Sequence, residues 1–403
     1  MRLRHIVLLA VLTACGTSVQ GQPLRLCGDP ERGALYLDAD RIWSYNLYEH
    51  SRWGAGVSYE CGVRSDELKI KSNIYMGYSP YAKMLSGGVG VGFEVKRYEL
   101  RVMSGVSHDL AAAGSRRLGG VSFSDFSSLS SFMSSRMNER LTATVGGEWK
   151  MESGTLSVGG SVYRGCRLYD NEGLLYYEGL LWFQGEREDG WEAAVSGEWQ
   201  VESAEWRVQF KTGEVWPGGR WFARAIGEFE DEWSLGPLKV GLFGQAGVAS
   251  AGAPYTYMFD LGGTWGAPLF FDRSLMTVRP TEFTADRYVL ASVRVALAKP
   301  LYSVWNSLIA VGSCPVPFVG MSGAVGALRG MDADGMLAHE NLTLQAPHRG
   351  VAEAFVGIDG LVRWGVVDWG VAAACRLTPT GAVYHREGAR DNLAILVTAR
   401  LVR

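Results

Sequence analysis

The sequence predicts an all-β fold, a transmembrane antiparallel β-barrel of about 16 strands, within a range of about 14–18. Three observations carry this. Apolar and polar residues alternate over long runs: Leu141, Ala143, Val145, Gly147, Trp149 and Met151 interleave with Thr142, Thr144, Gly146, Glu148, Lys150 and Glu152. Trp191, Ala193, Val195, Gly197, Trp199 and Val201 do the same, as do Trp206, Val208, Phe210 and Thr212 against Glu205, Arg207, Gln209 and Lys211. A period of two puts one set on each face of a strand. One face is then apolar with aromatic ends, and the other carries charges of both signs. The runs also reach the ~9–11 residues that a tilted membrane-spanning strand needs, against ~5–6 for soluble strands. Finally, 14 Trp, 17 Tyr and 15 Phe with only 20% charged residues suit lipid contact and aromatic girdles.

The elements follow in order. Arg2 and Arg4 precede the apolar run Ile6 to Ala14, the pattern of a signal peptide over 1–21. Two cleavage readings stay open. Val19-Gln20-Gly21 suits ordinary signal peptidase, whereas Leu12-Thr13-Ala14-Cys15 fits a lipobox that would lipidate Cys15. Residues 22–50, with Pro23 and Pro30, read as a periplasmic lead-in, and 51–403 as the barrel. Its strands are expected at 52–64, 67–78, 84–95, 98–108, 137–152, 155–166, 172–185, 190–202, 205–214, 220–232, 237–248, 286–297, 316–328, 351–361, 364–377 and 391–402. Ser153-Gly154, Asp189-Gly190, Pro217-Gly218-Gly219 and Asp359-Gly360 supply turn chemistry. Three long connections interrupt the pattern, at 109–136, 249–285 and 329–350. This strand order puts 109–136 on the periplasmic side, where barrel turns are normally short.

The six cysteines, Cys15, Cys27, Cys61, Cys166, Cys314 and Cys375, show no metal-like spacing and read as small wall residues. No metal or cofactor is expected. The net charge of −3, with no basic cluster, gives no reason to expect a nucleic-acid partner. Glu148, Lys150, Glu198, Glu202, Arg207, Lys211, Arg224 and Glu228 should line the lumen, either as a salt-bridged filling or as a channel lining. Val195 should face lipid and Ser196 the lumen.

Several stretches resemble a family of uncharacterised Bacteroidota outer-membrane barrels catalogued as a domain of unknown function. Asn46 to Gly56 is similar to its entry motif, in which Asn, Glu, Arg and Gly recur at this spacing. Ile74 to Tyr78 and Asp109-Leu110 with Gly114-Ser115 resemble its first hairpins. Leu275-Met276, Glu282-Phe283 and Asp286-Arg287-Tyr288-Val289 form the most specific match, and Glu353 to Leu361 resembles its last acidic, Gly-rich strand. His50 stands where a Gly is usual, and the carboxypeptidase-regulatory-like domain of longer members is not expected in the residues before the barrel. In outline the family is similar to BamA-like barrels. The resemblance implies an outer-membrane location and a barrel, and adds little on mechanism.

The expected role is therefore that of an integral protein of the cell outer membrane, with lipid and the barrel assembly machinery as partners. Its function would be transport, translocation or assembly, with the cargo open. Two alternatives are a barrel hydrolase using His339, His348 or His385 on an outer loop, and a structural or adhesive surface barrel. No catalytic residue is assigned, and a non-enzymatic role is favoured. Residues 249–289, rich in aromatics and proline, are expected to fold inward as a constriction or plug. Glu282, Phe283, Asp286, Arg287, Tyr288 and Glu353 are its candidate residues, with Arg287 latching the loop to a lumen carboxylate. The competing expectation is that these residues only shape a surface turn.

Overall fold

The computed structural model describes residues 24–29, 32–38, 41–46, 50–63, 67–81, 83–112, 137–167, 188–216, 218–261, 275–278, 282–298, 315–339, 342–364, 367–378 and 392–401. In chain order the strands are β1 (Leu24–Asp29), β2 (Gly33–Leu37), β3 (Trp43–Asn46), β4 (His50–Val63), β5 (Leu68–Ser79), β6 (Met84–Val95), β7 (Leu100–Ala112), β8 (Met137–Met151), β9 (Gly154–Arg167), β10 (Asp189–Val201) and β11 (Ala204–Trp216). They continue as β12 (Arg220–Leu235), β13 (Leu238–Ala249), β14 (Phe259–Asp260), β15 (Thr284–Ala285), β16 (Arg287–Leu297), β17 (Val316–Ala327), β18 (Met336–His339), β19 (Leu342–Gln345), β20 (Val351–Trp364), β21 (Val367–Arg376) and β22 (Leu393–Leu401). One antiparallel sheet takes in 18 of these, and β14–β15 and β18–β19 are separate two-stranded ladders. The fold is all-β, of the transmembrane antiparallel barrel class.

The long strands pair as an unbroken meander from β4 to β22. Both β2 and β3 pair with β4, so together they make one interrupted wall strand over 33–46. β1 pairs in turn with β2, so the sheet begins at Leu24, inside the segment expected as a lead-in. At the interruption, the Asp38 amide donates to Gly56 O and the Gly54 amide to Ile42 O. Arg41 lies across Gly54 and Gly56, where a Cβ would meet it, and stacks on the Tyr75 ring at 4.1 Å. The strand expected at 172–185 falls outside the described residues. β9 and β10 pair directly, from Tyr163↔Gly190 to Gly154↔Trp199.

Relative to the expected order, β4 to β9 run in the opposite sense and β10 onward in the expected one. The connections 113–136, 168–188, 250–286, 328–350 and 377–392 then all lie at one end. The short turns at 64–67, 96–99, 152–153, 202–203, 236–237 and 365–366 lie at the other. That is the barrel asymmetry of long outer loops and short periplasmic turns. Ala112 and Met137, which flank the expected 109–136 connection, thus stand at the long-loop end, and the difficulty of a long periplasmic turn disappears. Residues 298–315 are the one longer connection at the short-turn end.

The faces follow the alternation. Val145, Val158, Val195, Val208, Phe210, Val289, Val325 and Val371 are exposed on the outer face. Trp53, Tyr78, Trp216 and Trp221 ring the long-loop end of that face, and Phe93, Trp149, Trp199, Trp206 and Trp233 ring the short-turn end. Trp191 to Trp199 is eight residues and Trp221 to Trp233 twelve. At ~3.3 Å per residue and ~40° tilt, those spans are ~20 and ~30 Å, bracketing a ~25 Å apolar band. Cys375 shares this outer face, as its alternation with Trp369, Val371 and Ala373 suggests, and is exposed.

Inside, the wall from β17 to β20 is shaped by reciprocal aromatic–glycine pairs. Phe318 faces Gly357, and Gly320 faces Phe355. A Cβ on either glycine would run into the opposite ring, so each ring lies flat across the strand beside it. Here the many strand glycines have a cause: they let bulky inward rings close-pack against backbone.

Candidate functional site

The connection between β13 and β16 starts from two adjacent strands, since Val248 faces Arg287. It does not stand out in solvent. Tyr255, Tyr257, Phe259, Leu261, Leu275, Met276 and Phe283 are all buried, and Phe259, Leu261, Leu275 and Phe283 are fully so. A short 3-10 turn, Tyr255–Tyr257, and the small β14–β15 ladder, Phe259↔Ala285, give the loop its own frame. Its apolar side chains join inward residues of the wall, among them Phe222, Ile226, Phe243, Leu290, Ala324 and Val351. Burial of this many large apolar groups is the driving force for the inward fold, at about 1.5–3 kcal/mol each.

Two polar anchors fix its position. On the β20–β21 side, Glu353 is 0% exposed and accepts from Met276 N (2.7 Å), Thr277 N (2.8 Å) and Thr277 Oγ1 (2.8 Å). Directly opposite Glu353 in the ladder stands Arg376, whose side chain is also 0% exposed. Its guanidinium donates to Glu282 Oε1 (3.0 Å), Glu282 Oε2 (3.4 Å) and Thr277 O (2.7 Å). An Arg–carboxylate fork with a further carbonyl is a directional clamp. On the β9–β10 side, Tyr257 hydrogen-bonds Tyr163 Oη (2.9 Å) and Glu192 Oε2 (3.0 Å), and its ring stacks on Phe222 at 3.6 Å. Thr256 Oγ1 donates to Glu188 at 3.1 Å. Burial first, and Glu192 beside it, hold the Tyr257 phenol well above its ordinary range, so it stays a neutral donor.

The second long loop, 328–350, packs onto the first. Leu328, Leu344 and Ala346 bury against Tyr255 and Met258, and the β18–β19 hairpin rises beyond them. Asp286 ties the two together by accepting from Arg329 N at 2.7 Å.

The sequence candidates fall as follows. Glu282, Phe283, Asp286, Tyr288 and Glu353 all lie in this assembly, and Tyr288 donates to Gln245 Oε1 at 2.7 Å. Arg287 does not latch the loop. It is 52% exposed on the outer face, 3.9 Å from its neighbour Asp286, and the cation that holds Glu282 is Arg376. Arg224 is buried and stacks on Phe259 of the loop at 4.6 Å. Lys211 holds Glu192 at 2.9 Å, so it supports the Tyr257 anchor. Arg207 gathers Glu198, Glu205 and Glu228 on the inner wall, and Glu228 also accepts from Gln245 at 2.8 Å. Glu148 lies 3.8 Å from Arg101, and Lys150 is exposed near the short-turn end. Glu202 is not in the lining: it occupies the tight turn after β10 with a left-handed backbone, φ 58°. Cys15 and His385 lie outside the described residues. His348 sits in the turn before β20, and of His339 only the backbone strand is described. Sequence reasoning missed Arg376, Glu192 and Tyr163. Arg376 had a signal: it is a charge that follows Gly370, Ala372 and Ala374 on one strand face.

No family model matches the chain, and no curated protein does. Among solved structures it is similar to BamA from Haemophilus ducreyi lacking POTRA domains 1-3, with TM-score 0.49 and 11% identity over 92% of this chain and 70% of that one. It is also similar to CdiB from Acinetobacter baumannii, with TM-score 0.43 and 10% identity over 87% of this chain, which spans 56% of the CdiB structure. OmpT, an outer membrane protein of Vibrio cholerae, aligns with TM-score 0.41 and 9% identity over 93% of this chain and 98% of that one.

Proposed function

We propose that this chain is an integral outer-membrane transport barrel whose lumen is narrowed at the outer mouth by the loop 250–286. The observation that carries the reading is the double anchoring of that loop, by Glu353 and Arg376 on one side and by Tyr163 and Glu192 on the other. A surface ornament needs no buried fork of this kind. A loop that must hold a defined position in the mouth does. The apolar outer band supports lipid as the surrounding partner, and insertion would fall to the barrel assembly machinery. The anchors bind and orient the loop, which supports a passage as the role.

Glu282→Gln tests the reading in planar bilayers. It removes the charge facing Arg376 while keeping the shape. The variant should open more often, or to a larger conductance, than the native protein. Identical conducting traces from the two would overturn the narrowing by the loop, and no conductance from either, nor from a deletion of 255–280, would overturn the transport reading.

A further inference from the structure

The inner wall has two chemically different halves. From β12 to β21 the inward side chains include Phe222, Ile226, Phe243, Leu290, Phe318 and Phe355, and the loop 250–286 lies on them. From β4 to β9 the inward positions are of another kind. One register row runs across six neighbouring strands as Ser58, Asn73, Gly90, Gly105, Thr144 and Ser161. The adjacent row toward the long-loop end continues through Gly88, Ser107 and Thr142. Below, Ser157 faces Ser196, which in turn faces Gln209. Ser107, Thr142, Thr144, Ser161 and Ser196 keep partial solvent exposure. Among the described residues, the hydrogen bonds of 250–286 to the wall touch this half only at Tyr163, on its last strand β9, and otherwise run from Glu192 toward β21.

Hydroxyls and amides both give and accept hydrogen bonds, and glycines add room without apolar surface. A surface of this composition can exchange bonds with a solute that carries many hydroxyls, one for each it makes with water. Charges on this side gather toward the two ends of the wall, with the hydroxyl rows between them. Near the long-loop end Arg52 holds Asp109 at 2.7 Å and Arg140 lies 3.9 Å from Glu188; ion pairs form near the short-turn end as well. Lys71 holds Glu60 at 2.7 Å, and Arg101 lies 3.5 Å from Glu94 and 3.8 Å from Glu148. Paired charges of both signs cancel at a distance and attract neither anions nor cations.

We propose that the β4–β9 half of the lumen is the conducting path, and that it takes small, uncharged, polyhydroxyl solutes such as monosaccharides and polyols. The proposal rests on the transport reading above and names its substrate class. The hydroxyl rows act as a ladder of exchangeable partners, while the loop seals the apolar half that would otherwise admit and trap greasy solutes.

The full-length protein in liposomes decides it. Uptake of arabinose and sorbitol should exceed that of gluconate and N-methylglucamine, of similar size but charged, by about tenfold. The triple variant Ser107→Ala, Thr144→Val, Ser161→Ala removes three hydroxyls with little change in volume. It should lower polyol uptake about threefold relative to potassium chloride conductance, the scale of a lost hydrogen bond. If that variant does not fold, Thr144→Val alone carries the comparison. Equal uptake of charged and neutral solutes, or an unchanged ratio in the variants, overturns the proposal. The two readings fail separately. A barrel that conducts without favouring polyols refutes the substrate class alone, and one that never conducts, even after deletion of 255–280, refutes transport itself.

Discussion

Replacing Glu353 by Gln should release the loop without unfolding the wall. The native carboxylate is fully buried and its two oxygens divide three donors, Met276 N on one and Thr277 N and Oγ1 on the other. A Gln amide has one oxygen, so one backbone N–H must then face an NH2 group. The hydroxyl of Thr277 can turn and accept, but a backbone donor cannot. One orphaned buried donor costs about 1–3 kcal/mol, and weakening of the remaining charge-assisted bonds adds to that. The loss falls on the loop, because Glu353 keeps its ladder bonds to Ser322 and Arg376 in either variant. A local penalty of ~3 kcal/mol raises the open population by ~100-fold. Hydrogen exchange followed by mass spectrometry reads this directly. Peptides covering 275–286 should exchange much faster in Glu353→Gln, while β12 and β13 stay protected. Unchanged protection of 275–286, or uniform loss across the barrel, would refute the reasoning.

Other outcomes follow from the same geometry. Val195 lies on the outer face four residues from both Trp191 and Trp199, near the midplane, so Val195→Arg should cost about 2–4 kcal/mol in a refolding titration, and Ser196→Arg much less. Gly357→Val puts side-chain atoms where the Phe318 ring lies, and should destabilise refolding by about 1–3 kcal/mol, with Phe318→Ala partly restoring it. Arg287→Ala should leave the loop protected in hydrogen exchange, whereas Arg376→Met should not, because only the latter grips Glu282. The native protein should stay with membranes through carbonate extraction and shift in detergent gels on heating; recovery in a soluble fraction would contradict the barrel.

The wall was legible wherever alternation was unbroken. β8, β10 and β11 stand close to where the period of two puts them, with the expected residues in and out. The β2–β3 strand was not legible, because its ladder to β4 is interrupted between Leu37 and Trp43, where Arg41 lies over Gly54 and Gly56. The direct pairing of β9 with β10 was not legible either, because the strand-like Leu, Tyr, Trp and Phe of 172–185 stand between them in sequence. Strand propensity says nothing about a free edge. The same lesson holds at the anchors. Arg287 drew notice because it follows Asp286 in a compact motif, but its parity matches Val289 and Val293 on the outer face. Arg376 shares parity with Ala372 and Ala374, and that alternation placed it inside. The partner it finds, Glu282, lies far away in sequence, and only the fold of the loop brings them together.

The central claim, that 250–286 occupies the mouth, is tested most directly by single-channel conductance of the native chain beside a deletion of residues 255–280. The stumps 250–254 and 281–286 still bridge two adjacent strands, so the wall can close over the gap. A sharp rise in conductance, with heat-modifiable mobility intact, is the predicted result. An unchanged conductance in a folded deletion variant would contradict it.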